Sequence, residues 1–382
     1  MSPTVGVDAS VVASSAGGTR VYAVQLLQAL VALRPNWRFV LYLRREGEEE
    51  NLGEVARATN VQLRVVASRP NVWRIQVALA SHLRRDGVDL YHSLGFFLPI
   101  RWPGPKVVTV HDLNVYVTWR NWLRPPTVLP WLDLAIQTAI SMRAADRVIT
   151  DSESSRRQIQ QIARVTDERL RVIPLAADAF FGERASQGEI AGSRRFAGGQ
   201  PYVLFVGILS PQKNLILLLR AFAASGLSEQ GVKIVLAGSN VEAYAATIAG
   251  LAGTLGIAKS LVLPGFVSKP ELRALYQGAL CIVLPSHGEG FGLPLVEAMA
   301  SGTPILAANR QAIPEVLGDA GCLFEADDVD SLAKLLARVG TDPGFAADLR
   351  RRSESGRGRY SWRKTAEATA VVYEELLSMR RR

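Results

Sequence analysis

The chain has 382 residues, 48% of them hydrophobic and 21% charged, with a net charge of +9, a balance that fits a globular, soluble protein of two domains with substantial cores. No apolar run reaches the ~18 residues that a bilayer span needs, and the opening MSPTVGVDAS lacks the basic, apolar and small-residue pattern of a secretory signal. Two cysteines, Cys281 and Cys322, imply no disulfide framework, so the cytoplasm is the expected location. The positive charge is larger in the first half. It fits an anionic membrane surface, phosphorylated substrates or simply an arginine-rich surface; without zinc spacing, an RNP-like motif or a recognition helix, nucleic acid is not an expected partner.

Residues 3 to 13 predict a strand that runs into a loop, Ser14 to Thr19, holding Gly17 and Gly18. Tyr22, Leu26, Leu27, Leu30 and Leu33 then recur at helical spacing. A strand, glycine loop and helix start can cradle an anion, although a Gly-Gly pair alone is only a turn signal. Asp8 stands at the end of this strand. Strands at Phe39 to Leu43 and Val61 to Val66 flank Glu46 to Glu50, an acidic loop read as solvated surface. A helix over Trp73 to Arg85 and a strand over Asp89 to His92 follow. The β-branched run Val107 to Val110 ends in His111-Asp112, and the carboxyl ends of strands in an open parallel sheet are where ligands sit. A structural histidine bonded to the loop backbone is the alternative. Trp119, Trp122 and Arg124 precede an apolar helix over Pro125 to Arg143, a pattern that fits a membrane interface or ordinary core packing. Ala145 to Ser155 reads as a strand and a helix start, and Leu170 to Pro174 as a further strand.

Gly182 to Gln200 is polar and without periodicity, and a second run of strands and helices begins after it. Tyr202 to Gly207 is a strand; the turn Ser210 to Asn214 carries Lys213, a charge for a diphosphate or a solvated helix-start lysine. Val232 to Ala237 is a strand closed by Gly238, and Leu261 to Leu263 is followed by a loop containing Val267. Cys281 to Leu284 reads as a buried strand, Pro285 to Gly292 as a glycine loop and Leu293 to Ser301 as a short helix. Pro294 suits its first turn, and Gly302 and Pro304 stop it. Such a helix start offers N–H groups and a positive dipole end to a phosphate. Glu289 and Glu297, beside that cradle, make sense as acceptors for hydroxyl groups; salt-bridged glutamates of a buried turn are the other reading. Glu315 reads as structural at a helix start, and a helix with Trp362, Ala366, Ala370, Tyr373 and Leu377 follows Tyr360.

The run E-G-F-G-L-P-L-V-E, two glutamates separated by seven residues, and the A-M-A-S-G-T-P after it resemble the signature of retaining nucleotide-sugar glycosyltransferases of family 4. Neither a P-loop nor a G-x-G-x-x-G motif competes with it. The resemblance covers nearly the whole chain. It implies an α/β protein of GT-B architecture, with two facing Rossmann-like domains, the active-site cleft between them and a C-terminal helix that crosses back. The expected boundaries are 1–181 for an acceptor domain, 182–200 for a linker, 201–358 for a donor domain and 359–382 for the returning helix.

The same resemblance implies catalytic roles for His111, beside the reacting sugar, Glu289, on its hydroxyls, and Lys213, on the diphosphate. Donor binding falls to Gly17, Gly18, Gly207, Lys213, Gly238, Val267, Glu289, Gly290, Phe291, Gly292, Leu293 and Glu297, the last on the ribose hydroxyls. Arg20 stands where many relatives have a small residue, and Gln212 and Ile208 where some have arginine, so a second cation on the diphosphate is missing or comes from elsewhere. The implied reaction moves a hexose, with mannose from GDP-mannose as the first expectation, to a glycan or lipid-linked acceptor in bacterial surface polysaccharide synthesis, with retention. With no D-x-D pattern or His/Asp cluster at ligand spacing, no metal and no other cofactor are expected. A peripheral contact with an anionic membrane, at its inner face, would suit a lipid-linked acceptor. The competing readings are a nucleotide-sugar epimerase on the same fold and a catalytically silent sugar- or lipid-binding partner.

Overall fold

The computed structural model describes residues 2–13, 17–67, 73–113, 128–239 and 242–380. The chain divides into two compact units, Met1–Leu175 with Ser361–Arg382, and Ala176–Tyr360. Expected features at Ser14 to Ala16, Trp119, Trp122, Arg124 and Pro125 to Thr127 lie outside the described residues.

In the first unit, β1 (Thr4–Asp8), β2 (Arg38–Leu43), β3 (Val61–Val65), β4 (Leu90–Ser93), β5 (Lys106–Thr109), β6 (Arg147–Thr150) and β7 (Leu170–Val172) form one sheet. Its order is β3-β2-β1-β4-β5-β6-β7 and every pairing is parallel. Strands such as β1 and β4 are buried along their whole length, as a sheet covered on both faces requires. The strand order reverses between β1 and β4, a switch point where the carboxyl ends open for a ligand. Right-handed crossovers place helix Gly18–Leu33, between β1 and β2, on one face. Helices Val128–Ala144 and Glu153–Ala163, which serve the strands on the other side of the switch, take the opposite face.

Helix Trp362–Arg380 completes the first face. Thr365 Oγ1 donates to the Pro174 carbonyl at 2.8 Å, Arg34 pairs with Glu374 at 2.8 Å, and the Tyr373 ring stacks on Trp37 with centroids 6.3 Å apart. At the sheet, Tyr373 OH meets His92 Nδ1 at 2.5 Å.

The second unit repeats the plan with β8 (Tyr202–Val206), β9 (Lys233–Ala237), β10 (Leu261–Gly265), β11 (Cys281–Leu284), β12 (Ile305–Ala308) and β13 (Cys322–Phe324). The order is β10-β9-β8-β11-β12-β13, again parallel, with its switch point between β8 and β11. These are the two parallel α/β sheets that the resemblance implies.

Two segments differ from expectation. Residues 182–200, expected as a linker, carry helix Gln187–Arg194 inside the second unit. Ser186 and Glu189 form a capping box at its start, and Glu189 and Glu183 pair with Arg273 at 2.7 and 3.1 Å. Its glycines and serine blur the apolar period that would have announced it. The acidic loop Glu46 to Glu50 is also more than solvated surface: Glu48 is buried, accepts the Arg44 N–H at 2.8 Å and opens the 3₁₀ stretch Glu48–Arg57.

Candidate active site

In the second unit, the loop after β11 is tied to the turn after β8. His287 N–H donates to the Gln212 carbonyl at 2.9 Å, and the Gln212 amide donates to the Gly288 carbonyl at 3.2 Å. This lacing brings Lys213 Nζ to Glu289 Oε1 at 2.7 Å, with Ser286 Oγ donating to the same oxygen at 2.6 Å. Both side chains are mostly buried. An ion pair there can exchange partners: a diphosphate can take the ammonium while sugar hydroxyls take the carboxylate. Just beyond, Gly292 takes a left-handed φ of 92° and opens helix Leu293–Ser301 with no side-chain cap. A helix start of this kind, with its positive dipole end, can receive an anion. The Phe291 ring meets Tyr360 edge-on at 5.3 Å, which pins the loop next to that start.

Gly207 and Gly238 end β8 and β9 with backbones in close approach. Gly207 N–H donates to the Ala237 carbonyl at 3.0 Å, and a Cβ on Gly238 would fall 1.9 Å from the Gly207 oxygen. A side chain at 238 would push the two strand ends apart and move the turn that carries Lys213. Val267, in the loop after β10, is buried beside an exposed Phe266.

Glu297 lies one turn into helix Leu293–Ser301, where Tyr276 OH donates to its Oε2 at 2.7 Å. Burial pushes its carboxyl up to about 7. The Tyr276 hydrogen bond pulls the other way, and Asp178 adds to the rise.

In the first unit, the loop following β5 places His111 Nδ1 2.7 Å from Asp151 Oδ2, just past the end of β6. Burial disfavours charging the ring, but the charge and hydrogen bond of Asp151, with Asp112 adding the same sign, outweigh it, so His111 titrates above its ordinary 6.5. Tyr22 meets the ring edge-on at 4.5 Å. Among the described residues, His111 Nε2 and Asp151 Oδ1 are both buried without a hydrogen-bond partner. Each such group costs about 1–3 kcal/mol in a fold that gains nothing from it. Gly17, with φ at 141°, precedes Gly18 at the uncapped start of helix Gly18–Leu33. Among the described residues, no three His, Cys, Asp or Glu side chains converge as a metal site.

Residues 16–179 match the model described as Glycosyltransferase Family 4, and residues 186–356 the model described as Glycosyl transferases group 1. The MMP alpha-(1->4)-mannosyltransferase of Mycolicibacterium hassiacum is 32% identical over 327 residues, 81% of this chain and 76% of that protein. The chain belongs to glycosyltransferase family 4. The O-antigen chain mannosyltransferase B of Escherichia coli is 26% identical over 295 residues, 76% of each protein. Among solved structures, Anabaena Alr3699/HepE in complex with UDP and glucose superposes with a TM-score of 0.76 at 20% identity, over 98% of this chain and 100% of that one.

In this glycosyltransferase the expected residues fall into separate groups. Lys213 and Glu289 touch; Gly207 and Gly238 touch; Gly290, Phe291, Gly292 and Leu293 form the loop and helix start that lead to Glu297. His111, Gly17 and Gly18 belong to the first unit. Sequence reading missed three partners: Asp151 for His111, Tyr276 for Glu297 and Ser286 for Glu289. Asp151 had a signal, since it closes the strand that follows β5 and such strands are neighbours in this topology. Tyr276 had none, because it stands 21 positions before Glu297 with a strand between them.

Proposed function

We propose that this glycosyltransferase moves mannose from GDP-mannose to a glycan or lipid-linked acceptor, with retention and without a metal ion, in the synthesis of a bacterial surface polysaccharide. The observation that carries the reading is the Lys213–Glu289 pair beside the uncapped start of helix Leu293–Ser301. The leaving group is a diphosphate, and preorganised donors that meet its developing charge lower the barrier. Lys213 and the helix N–H groups supply that charge, Glu289 holds sugar hydroxyls, Glu297 holds the ribose hydroxyls and His111 orients the sugar. Transfer on one face, with the departing phosphate oxygen accepting the acceptor's proton, needs no protein nucleophile. The mannosyl choice rests on the names of the two relatives. The UDP held by the Anabaena structural neighbour makes a uridine donor the rival.

The acceptor reading includes a membrane. Leu132, Ile136 and Ile140, one turn apart on helix Val128–Ala144, are 54%, 50% and 42% exposed. Arg84, Arg85, Arg101, Arg143 and Arg157 are exposed on the connections that the crossover rule puts on the same face. An apolar stripe with exposed arginines on the same face matches an anionic bilayer, on which the helix would lie in the interface. Among the described residues no helix is long and apolar enough to cross a membrane.

Calorimetric titration with GDP, UDP, ADP and dTDP in EDTA tests the donor, followed by mass and anomeric analysis of product from GDP-mannose. GDP binding in EDTA is expected, and Lys213→Ala or Glu289→Ala should lower transfer by about 10²-fold or more in a folded protein. Preference for UDP would overturn the donor, dependence on added Mg²⁺ the metal-free reading, and normal turnover in either variant the site.

A further inference from the structure

Two histidines, His92 buried and His111 mostly buried, lie near the carboxyl ends of neighbouring strands, and the fold treats them differently. His92, in β4, uses both ring nitrogens: Nδ1 meets Tyr373 OH at 2.5 Å and Nε2 meets Thr109 Oγ1 at 2.8 Å. Burial lowers its pKa to about 3, so it stays neutral. That is a histidine satisfied by structure. Among the described residues His111 uses only Nδ1, against Asp151 Oδ2 at 2.7 Å, and leaves Nε2 buried with no partner. A carboxylate accepts and cannot donate, so the shared proton sits on Nδ1. Tyr22 against the ring at 4.5 Å and Ser155 Oγ donating to the His111 carbonyl at 3.3 Å fix both ring and backbone.

We propose that Asp151 is a positioning residue for sugar transfer: it orients His111 through Nδ1–H and sets a carboxylate against the ring, so that Nε2 is turned to an oxygen of the donor sugar as a charge-assisted donor. This rests on the reading above that His111 meets that sugar. The groups facing the ring account for the charge. Asp151 from the end of β6 and Asp112 from its own loop favour the imidazolium; burial opposes it, and His92 on β4 and Tyr22 on helix Gly18–Leu33 are uncharged. A charged donor is stronger than a neutral one, and it exists only while Nε2 stays protonated.

Imidazole ¹⁵N spectra of the whole protein across pH 5–9 test this, with His111→Gln to assign the signal among four histidines. The wild-type His111 ring should keep Nδ1 protonated and titrate above 6.5. Asp151→Asn retains a carbonyl acceptor and removes the charge, so the titration should move about one pH unit lower. Release of nucleoside diphosphate from GDP-mannose, or from UDP-glucose if that is the donor turned over, should lose its alkaline limb in parallel. The variant should be about tenfold slower than wild type at pH 8 and near it at pH 5.5. A wild-type ring that titrates at or below 6.5 overturns the proposal whether or not the variant folds. So does an unmoved ring in Asp151→Asn, or an equal loss of turnover at every pH. If neither donor is turned over, the donor reading falls, and the imidazole titration still decides the pair.

Discussion

Burial raises the Glu297 carboxyl to about 7 even though Tyr276 donates to it at 2.7 Å. The folded chain thus holds this proton more tightly than the unfolded one. The group's contribution to stability is full below its ordinary value of 4.5 and is lost as pH rises from there towards about 7. Glu297→Gln should therefore stabilise the protein without nucleotide by about 1–3 kcal/mol at pH 8 and have little effect at pH 4.5. Calorimetric melting at the two pH values checks it; an equal shift at both would remove titration as the cause. A carboxylate that weakens its own fold near neutrality is one whose value lies in a ligand. Lys213 and Glu289 show the converse, because each neutralises the other at 2.7 Å.

At the scale of elements, helix Val128–Ala144 carries the membrane prediction. Replacing Leu132, Ile136 and Ile140 together by serine removes three exposed side chains, which leaves folding intact. Sedimentation with phosphatidylglycerol vesicles should show binding at least tenfold weaker than wild type. Unchanged binding would refute the bilayer reading, as would a wild-type dimer that the substitutions make monomeric. The sequence told where this helix runs, but exposure is a property of what does not cover it, and no period reports that. Other elements were legible because local chemistry determined them. The helix Leu293–Ser301 matches its reading to the residue, since Gly292, Pro294 and Gly302 fix both of its ends. The helix Gln187–Arg194 went unread because glycines and serine leave little periodicity, and its stability comes from Ser186 and from a distant Arg273. Site contacts failed for the same reason: Lys213–Glu289 and His111–Asp151 join residues on different connections, and only strand order brings those together.

At the scale of the molecule, the first unit is discontinuous: Ser361–Arg382 belongs with Met1–Leu175. A chain that stops at Tyr360 should lose amide-exchange protection in β4 and β5, where His92 and Thr109 depend on Tyr373, while Ala176–Tyr360 keeps its own. Equal protection throughout both units, as in the full chain, would show the helix to be dispensable. The same discontinuity sets an order of events on the ribosome. Domains as a rule fold as they emerge, the amino-terminal one first. Here the unit translated first lacks helix Trp362–Arg380 until that segment has left the exit tunnel, whereas the second unit is a continuous stretch and is complete before that. The later unit can be finished before the earlier one, and for that interval the face of the first sheet that Tyr373 will cover stays open to chaperones.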